Sequence, residues 1–107
     1  MTCDPKYGNI AGVTVLGEAA VAKFARKHAS SRTALDRFLR IARTAEWSHF
    51  PDVKRTFPAA DYVSSTGTVI FDIGGNKYRL ISRVDFDEQL LYIEQVLTHE
   101  EYDRKNF

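Results

Sequence analysis

The stretch Thr68-Val-Ile-Phe-Asp-Ile-Gly-Gly-Asn-Lys-Tyr-Arg-Leu-Ile-Ser-Arg-Val-Asp85 decides the fold class. Thr68 to Ile73 is rich in β-branched and aromatic residues, Gly74-Gly75-Asn76 brings the positive-φ chemistry of a tight hairpin turn, and Lys77 to Asp85 resumes with strand formers. Asp85 to Gln89 is polar, and Leu90 to Leu97 is a further strand, which makes an antiparallel meander of three strands. Ile10 to Leu16 is a candidate for lengthening it at one edge.

Upstream, the period changes from two to between three and four. Ala20, Val21, Phe24 and Ala25 share one face of a helix over Gly17 to His28, with Lys23, Arg26 and Lys27 on the other. Leu35, Phe38, Leu39 and Ala42 repeat the spacing, with Arg37, Arg40 and Arg43 opposite. Ser30 and Ser31 lie between the two segments, where either hydroxyl can cap the second helix. Two helices followed by a meander predict an α+β domain, the helices packed on one face of a small antiparallel sheet. Trp47 to Pro58 reads as a connector, broken by Pro51 and Pro58, with a single helical turn started at Asp52. It delivers Lys54 and Arg55 to a surface.

The chain has 107 residues, 44% hydrophobic and 27% charged, which suits one globular domain and excludes a disordered or fibrous chain. The lone Cys3 cannot form an internal disulfide and points mildly to a reducing cytoplasm. No apolar run reaches the roughly 18 residues that span a bilayer, and no export signal is recognisable. The net charge of +1 hides a division: Val21 to Ala60 carries nine basic and three acidic residues, and Asp61 to Phe107 carries five and nine. A basic half of that kind serves either as solvated helix faces or as a positive surface for a polyanion.

On the strand after the glycine turn, Tyr78, Leu80, Ser82 and Val84 point one way and Lys77, Arg79, Ile81 and Arg83 the other. Three cations on one face are costly to bury unpaired, so that face is expected to open to solvent or to an anionic ligand. The alternative is pairing with Asp72, Glu94 or the terminal acids. Thr98 and Glu101 have capping-box spacing, so the last strand runs into a short helical turn with His99 near its start and Tyr102 on the same side. His99 is the strongest acid/base candidate, because histidine titrates near neutrality. His28 and His49 are weaker ones, and a structural role for any lone histidine competes with a catalytic one.

Metal chemistry finds little support. There is no Cys/His cluster, and Asp85-Phe-Asp-Glu88 is too short for a calcium loop. Gly74-Gly75 joins strands and so is a β-turn rather than a phosphate loop. No Gly-x-Ser-x-Gly nucleophile elbow is present.

At Gly74-Gly-Asn-Lys-Tyr-Arg-Leu-Ile81 and Thr98-His-Glu-Glu-Tyr-Asp103 the chain resembles the HigB toxins of bacterial type II toxin-antitoxin modules, within the RelE-like group of messenger-RNA endonucleases. The resemblance runs from about Leu16 to the end, with Met1 to Val13 as a possible N-terminal extension of a single domain. It implies a cytoplasmic mRNA interferase acting on ribosome-bound message, neutralised by a helix-turn-helix, HigA-like antitoxin. It further implies attack of a ribose 2′-OH on the adjacent phosphodiester, with no metal or other cofactor. Carried onto this sequence, His99 is the general base or acid, with Tyr102 as its partner or a base-stacking platform. Lys77 and Arg79 stabilise the phosphate, and Asp103 is placed to orient a neighbour. Lys23, Lys27, Arg37, Arg40, Arg43, Lys54, Arg55 and Arg83 are then RNA-binding cations, most of them aimed at ribosomal RNA. The competing reading is a non-catalytic RNA- or ribosome-binding module that blocks translation by occupancy.

Overall fold

A computed structural model describes residues 12–75 and 77–104. A three-residue strand β1 (Thr14–Leu16) leads through Gly17 into helix α1 (Glu18–Lys27). One 3-10 turn (Ala29–Ser31) then connects to α2 (Arg32–Thr44), and α3 (Phe50–Thr56) follows. Strands β2 (Asp61–Val63), β3 (Thr68–Ile73), β4 (Tyr78–Asp85) and β5 (Leu90–Thr98) come next, and α4 (His99–Arg104) follows β5 directly. The five strands form one sheet in the order β1-β5-β4-β3-β2.

The expected meander is β3-β4-β5, all antiparallel, turning at Gly74 (φ 65°) and Gly75 (φ 73°). Two strands extend it. β2 pairs antiparallel with β3, and β1 pairs parallel with β5, so the sheet is mixed. The parallel pairing has a physical reason: β1 leads into the helical layer, and a strand linked to its neighbour through a helical crossover can run alongside it. Of the expected edge strand, Ile10 and Ala11 lie outside the described residues, as does most of the proposed N-terminal extension. Val13, its last residue, is in the core.

The helices cover one face. Val21, Phe24 and Ala25 of α1 and Leu35, Phe38, Leu39 and Ala42 of α2 are buried with Val69, Phe71, Ile73, Leu80, Leu91, Ile93 and Val96 of the sheet. Phe71 is the hub, with ring centroids of Phe38, Phe57 and Trp47 at 4.8, 5.2 and 6.2 Å. The Trp47 indole N–H donates to Thr56 Oγ1 at 3.1 Å, which satisfies its one polar atom inside the core. The connector is therefore part of the core. Its helix starts two residues earlier than Asp52, with Pro51 in the first turn where a missing N–H is harmless. Asp52 reaches back to accept from the Ser48 amide at 2.8 Å.

Ser31 does not cap α2 by accepting an amide. Fully buried, it donates to the His28 carbonyl at 2.7 Å, closing the 3-10 turn, and Ser30 bonds the Tyr78 hydroxyl at 2.8 Å. No helix among the described residues is long and apolar enough to cross a membrane.

Candidate active site

The second face of the sheet carries the other half of the β4 alternation. Asp72 lies directly opposite Arg79 across the β3–β4 pairing, and Ile70 opposite Ile81. Ile70, Ile81 and Leu97 form a small cluster on this face, covered in part by Val63 and Tyr102. Arg79 is buried among them, its side chain only 11% exposed.

That burial corrects the expectation of an open face with three unpaired cations. Arg79 Nε is 3.3 Å from Asp72 Oδ1, its Nη1 donates to the Tyr78 carbonyl at 3.3 Å, and its guanidinium carbon is 5.2 Å from the centre of the Tyr102 ring. Arg83 stays half exposed, with Nε on Glu94 at 2.7 Å and Nη1 on the Thr66 carbonyl at 2.6 Å. The pairing with Asp72 and Glu94, the alternative from sequence, is the arrangement present. Lys77 is exposed and belongs to the turn before β4, not to the strand.

The end of β5 places the histidine. Thr98 and Glu101 make the capping box in full: the Thr98 amide donates to Glu101 Oε1 at 2.9 Å, and the Glu101 amide to Thr98 Oγ1 at 3.1 Å. The backbone bond from Thr98 holds the Glu101 carboxyl below the usual carboxylate range, with the Thr98 hydroxyl and the charges of His28 and Lys27 adding to this against the opposing effect of burial. The His99 amide donates to the Lys77 carbonyl at 2.9 Å, so the glycine turn and the start of α4 are fixed to each other.

The side chains then form a line across the face. Arg79 Nη2 is 3.3 Å from His99 Nδ1, and His99 Nε2 is 3.2 Å from Asp103 Oδ2. A guanidinium has donors only, so His99 Nδ1 accepts and carries the lone pair. The proton of the neutral ring is then on Nε2, where Asp103 receives it. Asp72, Arg79, His99 and Asp103 thus alternate anion, cation, imidazole and anion, and His99 is about half exposed. Such a group can hold an anion at the guanidinium and move a proton at the adjacent nitrogen.

Of the thirteen residues given a role by the resemblance, His99, Arg79, Tyr102 and Asp103 are brought together by side-chain contacts. Lys77 is tied to His99 through its carbonyl, and Arg83 lies four residues beyond Arg79 on the same strand face. The others belong to the helical layer across the sheet. Arg37 lines a groove of about 550 Å³ between α2 and the Gly74–Gly75 turn, at the end of the sheet that holds the site. Lys23 and Lys27 line a cleft along β5 that also includes Glu101. Arg40 and Arg43 are exposed on α2, where Arg43 meets Glu18 at 2.5 Å. On α3, Lys54 donates to the Pro58 carbonyl and Arg55 pairs with Asp52. His49 also pairs with Asp52, and His28 stacks on Phe24 with ring centroids 4.4 Å apart, so both have structural partners. Sequence reasoning gave Asp72 no role beyond a possible counter-ion. The one signal for it was a carboxylate inside an otherwise apolar strand.

A small α+β domain with this site falls within the class of RelE-like toxic components of toxin-antitoxin systems, whose HigB toxin model matches residues 31–105. The chain belongs to the HigB toxin family. It is similar to the mRNA interferase HigB of Escherichia coli O6:H1, at 24% identity over 91 residues covering 84% of this chain and 88% of the relative. It is also similar to the mRNA interferase toxin HigB of Escherichia coli K12, at 38% identity over 52 residues covering 48% of this chain and half of that protein. A Shigella flexneri mRNA interferase HigB matches to the same extent.

Proposed function

We propose that this chain is the toxin of a type II toxin-antitoxin pair and an endoribonuclease that cleaves messenger RNA through the Arg79–His99–Asp103 line. The contact that carries the reading is Arg79 Nη2 at 3.3 Å from His99 Nδ1, which sets an anion-binding group against the ring nitrogen that carries the lone pair. In the reaction, Nδ1 takes the proton of a ribose 2′-OH as O2′ bonds to the adjacent phosphorus. The bond from phosphorus to O5′ breaks, O5′ takes a proton from solvent water, and the products end in a 2′,3′-cyclic phosphate and a 5′-hydroxyl.

Each neighbour has a part. Arg79 neutralises the non-bridging oxygens, where negative charge grows in the transition state. Asp103 holds the Nε2 proton and stabilises the imidazolium that forms, the role of the carboxylate in a Ser-His-Asp triad. The Tyr102 ring lies against the guanidinium and fixes its plane. Lys77, exposed on the turn bound to the His99 amide, supplies a second cation near the leaving oxygen.

The proposed partners are messenger RNA as substrate, the ribosome as the platform that presents it, and a helix-turn-helix antitoxin as the inhibitor, with the cytoplasm as the proposed compartment; family membership supports the first and an antitoxin. The test is induction without antitoxin, with His99→Ala and Arg79→Ala compared at equal, folded levels. Growth arrest and transcript cleavage by the wild-type chain, lost in both variants, is the expected result. Arrest that persists in a folded His99→Ala protein with intact transcripts would instead establish the occupancy reading.

A further inference from the structure

We infer that Asp72 is a positioning residue of this site, holding the Arg79 guanidinium so that its Nη2 edge faces His99 and the substrate phosphate. The inference rests on the proposed reading of Arg79 as the phosphate clamp. An acid close to a cation that must bind a polyanion weakens that binding electrostatically, and a carboxylate is a poor strand former. Asp72 has both disadvantages, set between Phe71 and Ile73 and 3.3 Å from Arg79.

Geometry supplies the reason. A guanidinium is a rigid planar fork, so bonding it at one nitrogen fixes where the others point. Asp72 lies at Nε, the nitrogen nearest the backbone, while the Tyr78 carbonyl takes Nη1 and Nη2 meets His99 Nδ1. The sheet register makes this possible, because directly opposed residues on an antiparallel pair project side by side on the same face. Asp72 and Asp103 hold the two ends of one line, and the reacting groups lie between them.

The experiment is single-turnover cleavage of a defined transcript in a translating extract, with rate and half-saturating toxin concentration measured for wild type, Asp72→Asn, Arg79→Lys and the double variant. Asp72→Asn keeps the shape and removes the charge. It should lower the saturated rate by about 10- to 100-fold per folded molecule and change half-saturation about twofold or less. In the Arg79→Lys background, where no fork remains to be aimed, the same substitution should change the rate further by less than about threefold. Should Asp72→Asn not fold, Asp72→Glu takes its place, since it keeps the charge one methylene further out and should lose rate in the same way.

A folded Asp72 variant with reduced thermal stability but wild-type rate would reduce Asp72 to a counter-ion and overturn the inference. So would losses that multiply fully in the double variant. A wild-type rate in Arg79→Lys would overturn both this inference and the proposed role of Arg79. A slow Arg79→Lys beside a fast Asp72→Asn would remove only the role of Asp72.

Discussion

At the scale of the residue, the placement of His99 depends on two hydrogen bonds made by its neighbours. Thr98 and Glu101 exchange amide bonds and tie the first turn of α4 to the end of β5. Thr98→Ala removes one acceptor and should destabilise the protein by about 1 kcal/mol, read as a lower melting temperature, and reduce cleavage because His99 loses its fixed starting point. The other half of the box is pH-dependent. Glu101 is held below its ordinary value of 4.5, chiefly by the Thr98 amide, so its ionised form favours the folded state. That contribution is complete above the ordinary value and is lost as the pH falls through the lowered one. Wild type should therefore melt above Glu101→Gln at neutral pH, and the gap should close on acidification. The box was legible in the sequence because both of its members lie within one turn of chain. The burial of Arg79 was not, since it depends on Asp72 standing opposite, and a register is a relation between two strands. The line through His99 to Asp103 has the same character: its i,i+4 half was readable, and its cross-strand half was not.

Among the elements, Gly17 carries the join between the edge strand and the helical layer. Its φ of 86° is a left-handed conformation, and a Cβ there would meet the Ile93 carbonyl oxygen at 2.3 Å. Gly17→Ala should destabilise the fold by about 1–3 kcal/mol, measured by denaturant unfolding, because both the backbone conformation and the approach of β1 to β5 must change. The helices and the meander were legible because each repeats its period over several turns or alternations. β2, three residues ending in Val63, is too short to show any period and exists through its pairing with β3. The direction of β1 had no local signal, because polarity in a sheet is decided by the crossover that follows the strand. At Glu94 an extra residue on β5 shifts the register, so that Ile93 and Val96 both turn toward the helical core. That bulge also sets Glu94 beside Arg83 on the opposite face.

Over the whole molecule, the sheet separates two electrostatic tasks. The cation next to the histidine is nearly buried and paired with the Asp72 carboxylate, whereas Arg37, Arg40 and Arg43 are exposed on the helical layer across the sheet. Reversing these three to glutamate should weaken binding to ribosomes with the fold intact. The slope of log affinity against log salt should flatten by about 0.7–0.9 for each phosphate that is no longer neutralised. An unchanged salt slope would show that the basic layer does not hold RNA. The partition of charge along the chain was legible; its assignment to two faces was not, because the faces exist only once the strands have paired. In the proposed mechanism the Arg79–His99 pair drives attack by a 2′-OH. Its most direct test is the chemistry of the ends left on transcripts cut by the wild-type toxin and by folded His99→Ala. Attack by the 2′-OH predicts 2′,3′-cyclic phosphate and 5′-hydroxyl ends that vanish in the variant. Ends bearing a 3′-hydroxyl and a 5′-phosphate, or cuts undiminished without His99, would contradict it.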